Sequence, residues 1–169
     1  KGRSRMKAGA RNWLAVALAF AALSAAMTLP LAFHLSDHVA SDLRDPLYTM
    51  FAMTWTARAA ASGFAGFADA NIFFPHRGTL FYGDVLPVES ILGAPVLAAT
   101  GNPVLAYNVV FLITFLVSGL GMFALVRRLT GSSNAAFLAG IIFAFFPYHF
   151  AHSAHLEILF MGWIPLFFL

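Results

Sequence analysis

The chain has 169 residues, 60% of them hydrophobic and only 10% charged, with a mean hydropathy of +0.80. That composition excludes a water-soluble globular domain and a disordered chain, and it is the composition of an integral membrane protein. The net charge of +3 comes without a basic, aromatic-laced surface domain, which argues against nucleic acid as a partner, and without cysteine there is no disulfide or Cys-ligated metal.

The first element is an apolar run over about 12–35, long enough to span a bilayer and preceded by Lys1, Arg3, Arg5, Lys7 and Arg11. Such a basic start also suits a signal peptide cleaved near Ser24-Ala25-Ala26, but the run continues to Phe33. Either reading puts the N-terminus in the cytoplasm, because Lys and Arg mark that side.

An outer loop over about 36–102 follows. Pro46 suits the first turn of a helix, with Asp45 as its cap. Leu47, Met50, Phe51 and Trp55 continue it at helical spacing, and Gly63 and Gly66 end it. Trp55 and Arg58 suit the headgroup layer, so this helix is expected to lie along the membrane surface. The turn-rich, aromatic stretch from Asp69 to His76 reads as a packed loop. The run from Val85 to Ala99 is interrupted by Pro87, Glu89 and Pro95 and reads as re-entrant or interfacial. If it crossed, Arg127 and Arg128 would lie outside, against the positive-inside bias.

Further spans are expected over about 103–126 and 134–148, joined by a cytoplasmic turn, with an incomplete span over about 157–169. The expected fold is all-α: polytopic transmembrane helices with an ordered first extracytoplasmic loop. The start at Lys1 and the end inside an apolar run read as the N-terminal part of one longer transmembrane domain. Ser118, Gly119 and Gly121 in one span are expected to let helices approach closely.

In this topology all seven acidic residues and all six histidines fall on the outer side, while seven of the ten Lys and Arg do not. The spans themselves lack the ionisable residues that ion-coupled transporters place near mid-membrane. Asp42 and Asp45 follow the first span, where a carboxylate against an apolar wall can act as a general base; for Asp45 a plain helix cap is the competing reading. His149, His152 and His155 recur every third residue before Glu157, a spacing that suits a divalent cation or a lipid phosphate, or a set of interfacial histidines bonded to headgroups. Arg44 and Arg77 are outer basic residues that suit a phosphate or a salt bridge.

Several segments together resemble the N-terminal part of GT-C glycosyltransferases, polytopic enzymes that use polyprenyl-phosphate-linked sugars. The resemblance rests on Asp45-Pro46-Leu47 with Trp55, the stretch from Asp69 to His76, and Gly101-Asn102-Pro103 running to Asn108. Arg127-Arg128-Leu129-Thr130-Gly131, Phe146-Pro147-Tyr148, and His152 and His155 before Trp163-Ile164-Pro165-Leu166 complete it. It implies sugar transfer from a polyprenyl-phosphate donor to an acceptor on the extracytoplasmic face of a bacterial inner membrane. Asp45, or else Asp42, would be the catalytic residue, and Arg44, His76, Arg77, His152 and His155 would bind phosphate or substrate. A divalent metal, Mg or Mn, is a further expectation, with Asp45, Asp84, His152 and His155 as ligands. The expected partners are the lipid bilayer and the lipid-linked sugar, and the fragment alone is expected to be inactive. A transporter or flippase for a lipid-linked or small solute, or a non-catalytic membrane scaffold, are the alternatives.

Overall fold

The computed structural model describes residues 2–169, with side chains described from residue 12 onward. The basic side chains of Lys1, Arg3, Arg5, Lys7 and Arg11, on which the expected orientation partly rests, lie outside that description. The described residues are helical, without a strand. In chain order the helices are α1 (Gly2–Met27), α2 (Asp45–Ala61), α3 (Pro87–Thr100), α4 (Pro103–Thr130) and α5 (Ser133–Ala144). Three short ones follow: α6 (Pro147–Ala151), α7 (Leu156–Leu159) and α8 (Trp163–Phe167).

Among the described residues, two stretches are long and apolar enough to cross a membrane: α4, with 28 residues, and Ser133–Ala151, with 19. At 1.5 Å per residue α4 extends about 42 Å, more than the hydrocarbon core of about 30 Å. Arg127 and Arg128 close it, where cations complement the helix dipole. α3, with 14 residues, extends only about 21 Å, in keeping with a segment that enters without crossing.

Two expected boundaries are corrected. The helical part of the first apolar run stops at Met27, and Leu31–Phe33 forms a separate 3-10 turn. Pro30 lacks an N–H and its ring would clash with the preceding turn, so the helix cannot continue to residue 35. The final run is not one helix but α7 and α8, parted at Met161 and Gly162. Gly162 sits against the backbone of Val117, where an added Cβ would lie 2.7 Å from the Val117 carbonyl carbon.

The chain divides into two compact units. The first comprises 1–33, 111–153 and 158–169. Its centre is Phe20, fully buried and surrounded by Leu23, Leu116, Leu120, Phe137 and Ile141. Gly119 of α4 and Gly140 of α5 make room for that ring, and Gly121 does the same for α8, since a Cβ there would meet the Gly162 carbonyl at 2.8 Å. The close packing expected of the 118–121 cluster is present. Leu14, Leu18, Leu138 and Ile142 are each about 60% exposed, as side chains are when lipid is their solvent.

The second unit comprises 34–110 and 154–157. α2 packs on α3, with Met53 seated against Gly93 and Leu80, Leu86, Tyr107 and Leu156 buried in the core. The loop after α2 is ordered by its own polar groups. Trp55 Nε1 donates to the Phe67 carbonyl at 2.8 Å, the Thr79 hydroxyl to the Ala70 carbonyl at 2.7 Å, and the Gly78 amide to Asp69 Oδ1 at 2.7 Å. Gly63, Gly66 and Gly78 all have φ near +70°, the left-handed region that glycine adopts without a Cβ penalty.

Candidate functional site

Asp45 opens α2, followed at once by Pro46. The N-cap position is held by Arg44, whose side chain makes no capping bond, and Asp45 is instead the first residue of the helix. Its Oδ2 lies 2.9 Å from Nε2 of His155, the residue immediately before α7. Both side chains are partly exposed, 56% for Asp45 and 38% for His155. A carboxylate at this distance fixes the orientation of an imidazole, and the imidazole in return holds the carboxylate in place.

Further ionisable groups belong to the same unit. Glu89, in the first turn of α3, is 5% exposed. Burial pushes its carboxyl above the usual range; its own backbone amide opposes this and the charge of Glu157 adds to it. Glu157, Asp45 and Asp42 all lie within electrostatic reach of Tyr107, which is fully buried in α4. Tyr48 of α2 is raised as well, by burial and by the charge of Asp84, and its hydroxyl occupies the space above Gly83. The site is therefore acid-rich, with one imidazole seated on one carboxylate.

The other expected site residues are placed as follows. Asp42 Oδ1 accepts from the Arg44 amide at 3.1 Å, building the turn that leads into α2, a structural task. Arg44 is the exposed residue preceding that helix. His76 and Arg77 line a loop cavity of about 500 Å³ with Asp69 and Pro75, and neither Asp45 nor His155 lines it. His149 is buried, its Nδ1 2.6 Å from the Ala144 carbonyl and its ring edge-on to Phe115 and Phe146. His152 stacks on Tyr148 at 4.0 Å between ring centroids. Within their own units, His149 bonds the Ala144 carbonyl, His152 stacks on Tyr148 and His155 faces Asp45.

Of the expected metal ligands, Asp45 and His155 face each other at 2.9 Å, a mixed oxygen and nitrogen donor pair. Among the described residues the metal-capable set of three is a different one, His34, Asp37 and His38.

Sequence reasoning missed Glu89 as a site residue. In the sequence that glutamate reads only as an interruption of an apolar run. A lone carboxylate inside such a run was the available signal, since it must be neutralised or partnered.

These features define a membrane protein whose second unit carries a carboxylate–imidazole pair. A family profile described as a 6-pyruvoyl-tetrahydropterin synthase related domain, membrane protein, matches residues 87–163, under half of the chain. The matched stretch includes Glu89, Tyr107, His155 and Glu157 but not Asp45. Neither a curated protein nor a solved structure matches the chain.

Proposed function

We propose that this chain belongs to a membrane-embedded glycosyltransferase of the cytoplasmic membrane of a bacterium. It would pass a sugar from a polyprenyl-phosphate donor to an acceptor hydroxyl at the extracytoplasmic surface. The observation that carries the reading is the 2.9 Å contact between Asp45 and His155, half open to solvent, in a protein of the membrane.

In this account the Asp45 carboxylate takes the proton of the acceptor hydroxyl as that oxygen attacks the sugar carbon. The bond from that carbon to the phosphate oxygen breaks, and the lipid phosphate leaves with the electron pair. His155 is a positioning residue: it fixes the carboxylate and spreads the proton's charge over the pair. Arg44, adjacent to Asp45, supplies a guanidinium for the charge that develops on the phosphate. No step is routed through a metal.

The experiment is donor-dependent sugar transfer by the intact protein in proteoliposomes, with wild type compared against Asp45→Asn and His155→Gln. Loss of transfer in both at unchanged protein level supports the reading. Wild-type transfer in both removes the catalytic role of the pair and favours a scaffold.

A further inference from the structure

We propose that His34, Asp37 and His38 bind one divalent late-transition cation of the zinc class, at a site separate from the Asp45–His155 pair. The inference does not rest on the glycosyltransferase reading.

Local backbone builds the site. After the turn Leu31–Phe33 the chain closes a second turn, in which the His34 carbonyl accepts from the amides of Asp37 at 3.3 Å and His38 at 3.0 Å. Residues at positions i, i+3 and i+4 are thereby brought to one side. Asp37 Oδ1 lies 3.7 Å from His34 Nδ1 and 3.2 Å from His38 Nδ1. The ligand atoms of all three residues fall within 4.8 Å of one another. Zinc bonds of about 2.0–2.2 Å to imidazole nitrogen and carboxylate oxygen in tetrahedral geometry place neighbouring ligand atoms about 3.3–3.6 Å apart. The observed separations bracket that spacing, so small side-chain rotations are enough to seat an ion.

The turn is held from beneath. Asn108 of α4 is fully buried, and its Nδ2 donates to the carbonyls of Leu35 at 2.8 Å and His38 at 2.6 Å. Asn102 Nδ2 donates to the Ser36 carbonyl at 2.9 Å. Two amides from one region thus fix three carbonyls of a five-residue turn. Such support lowers the ordering cost of assembling ligands around an ion.

The donor set selects the ion. Two imidazoles and one carboxylate suit Zn²⁺, Co²⁺, Ni²⁺ or Cu²⁺, whereas Mg²⁺ and Ca²⁺ prefer oxygen alone. Three protein ligands leave a position for water or a further ligand. All three side chains are exposed, so an ion can reach them.

The test is Zn²⁺ titration of the full, untagged chain in detergent micelles against a chromophoric chelator, with Co²⁺ absorption as a second readout. One equivalent should bind, with a tetrahedral Co²⁺ spectrum. His34→Ala, Asp37→Ala and His38→Ala should each weaken binding roughly 100-fold or more, given that outer-shell partners alone change affinity 10- to 100-fold. Asn108→Ala, which leaves the ligands but frees the turn, should weaken it less, and His152→Ala should leave it unchanged. Helical circular dichroism monitors folding in each variant. No stoichiometric binding, or binding that survives the His34→Ala/His38→Ala double substitution, would overturn the proposal.

Discussion

The ring of Phe20 occupies the place that a side chain at Gly119 would need: an added Cβ there would lie 2.5 Å from Phe20 Cδ1. Gly140 is related to the same ring in the same way, at 2.5 Å from its Cζ. One aromatic side chain on α1 thus meets α4 and α5 through two residues without side chains. In lipid, helices associate through such close packing rather than through the exclusion of water.

Gly119→Val should therefore destabilise the first unit by roughly 1–3 kcal/mol, the scale of an overpacked core. Phe20→Ala should cost about 3–5 kcal/mol through the cavity it leaves. Combining Gly119→Val with Phe20→Ala should cost less than the sum, because the valine then fills vacated space. Unfolding in mixed detergent–SDS micelles measures all three, and strict additivity would mean the two residues do not share a packing site.

Glu89 makes stability depend on pH. Its carboxyl titrates above the ordinary 4.5 in the folded state, chiefly through burial. The folded protein then holds a proton that the unfolded chain releases. Stability falls as pH rises from about 4.5 through the raised value, and levels off above it. Glu89→Gln should flatten that decline and leave the protein more stable than wild type at neutral pH. Thermal unfolding of both proteins across this window checks it; parallel curves would mean that Glu89 is not the group responsible.

The order of the loop after α2 depends on Asp69, which accepts the Gly78 amide. Asp69→Asn retains an acceptor oxygen and should leave protease resistance of the loop near wild type. Asp69→Ala should lose on the order of 1 kcal/mol and open the loop to limited proteolysis. Equal resistance in the two variants would show that the bond contributes little.

The orientation proposed from the charge pattern can be read by thiol labelling, since the chain has no cysteine. Ser62 and Asn134 are exposed positions, whereas Thr79 is fully buried and unsuitable. A cysteine at 62 should react with an impermeant reagent added to intact cells, and one at 134 only after permeabilisation. The opposite pattern would invert the proposed topology.

What the sequence carried plainly was local. Pro46 marked the start of α2 and Gly63 its end, because both act on their own backbone. The uncharged run after Pro103 gave the long span, and the small residues at 118, 119 and 121 gave close packing. Pro30 was a legible stop within the first apolar run, but hydropathy alone carried the span past it to residue 35. What stayed hidden was the pairing of distant segments. Nothing near Asp45 in the chain names His155 as its partner. The His34, Asp37 and His38 set was local enough to read, yet its value depends on Asn108 holding the turn. Such a contact is invisible in a one-dimensional pattern.

In the proposed reaction Asp45 removes a proton while His155 positions it, and a single substitution decides between this and a structural role. Asp45→Asn keeps the size of the side chain and an oxygen that can still face His155, so abundance should hold. A general base contributes roughly 10²- to 10⁴-fold to rate. Sugar transfer from a polyprenyl-phosphate donor by the intact protein should therefore fall by that factor in Asp45→Asn, while Asp42→Asn, whose oxygen still accepts the Arg44 amide, should stay near wild type. Near-normal transfer by Asp45→Asn would contradict the account, and collapse of Asp42→Asn in its place would move the role to that residue.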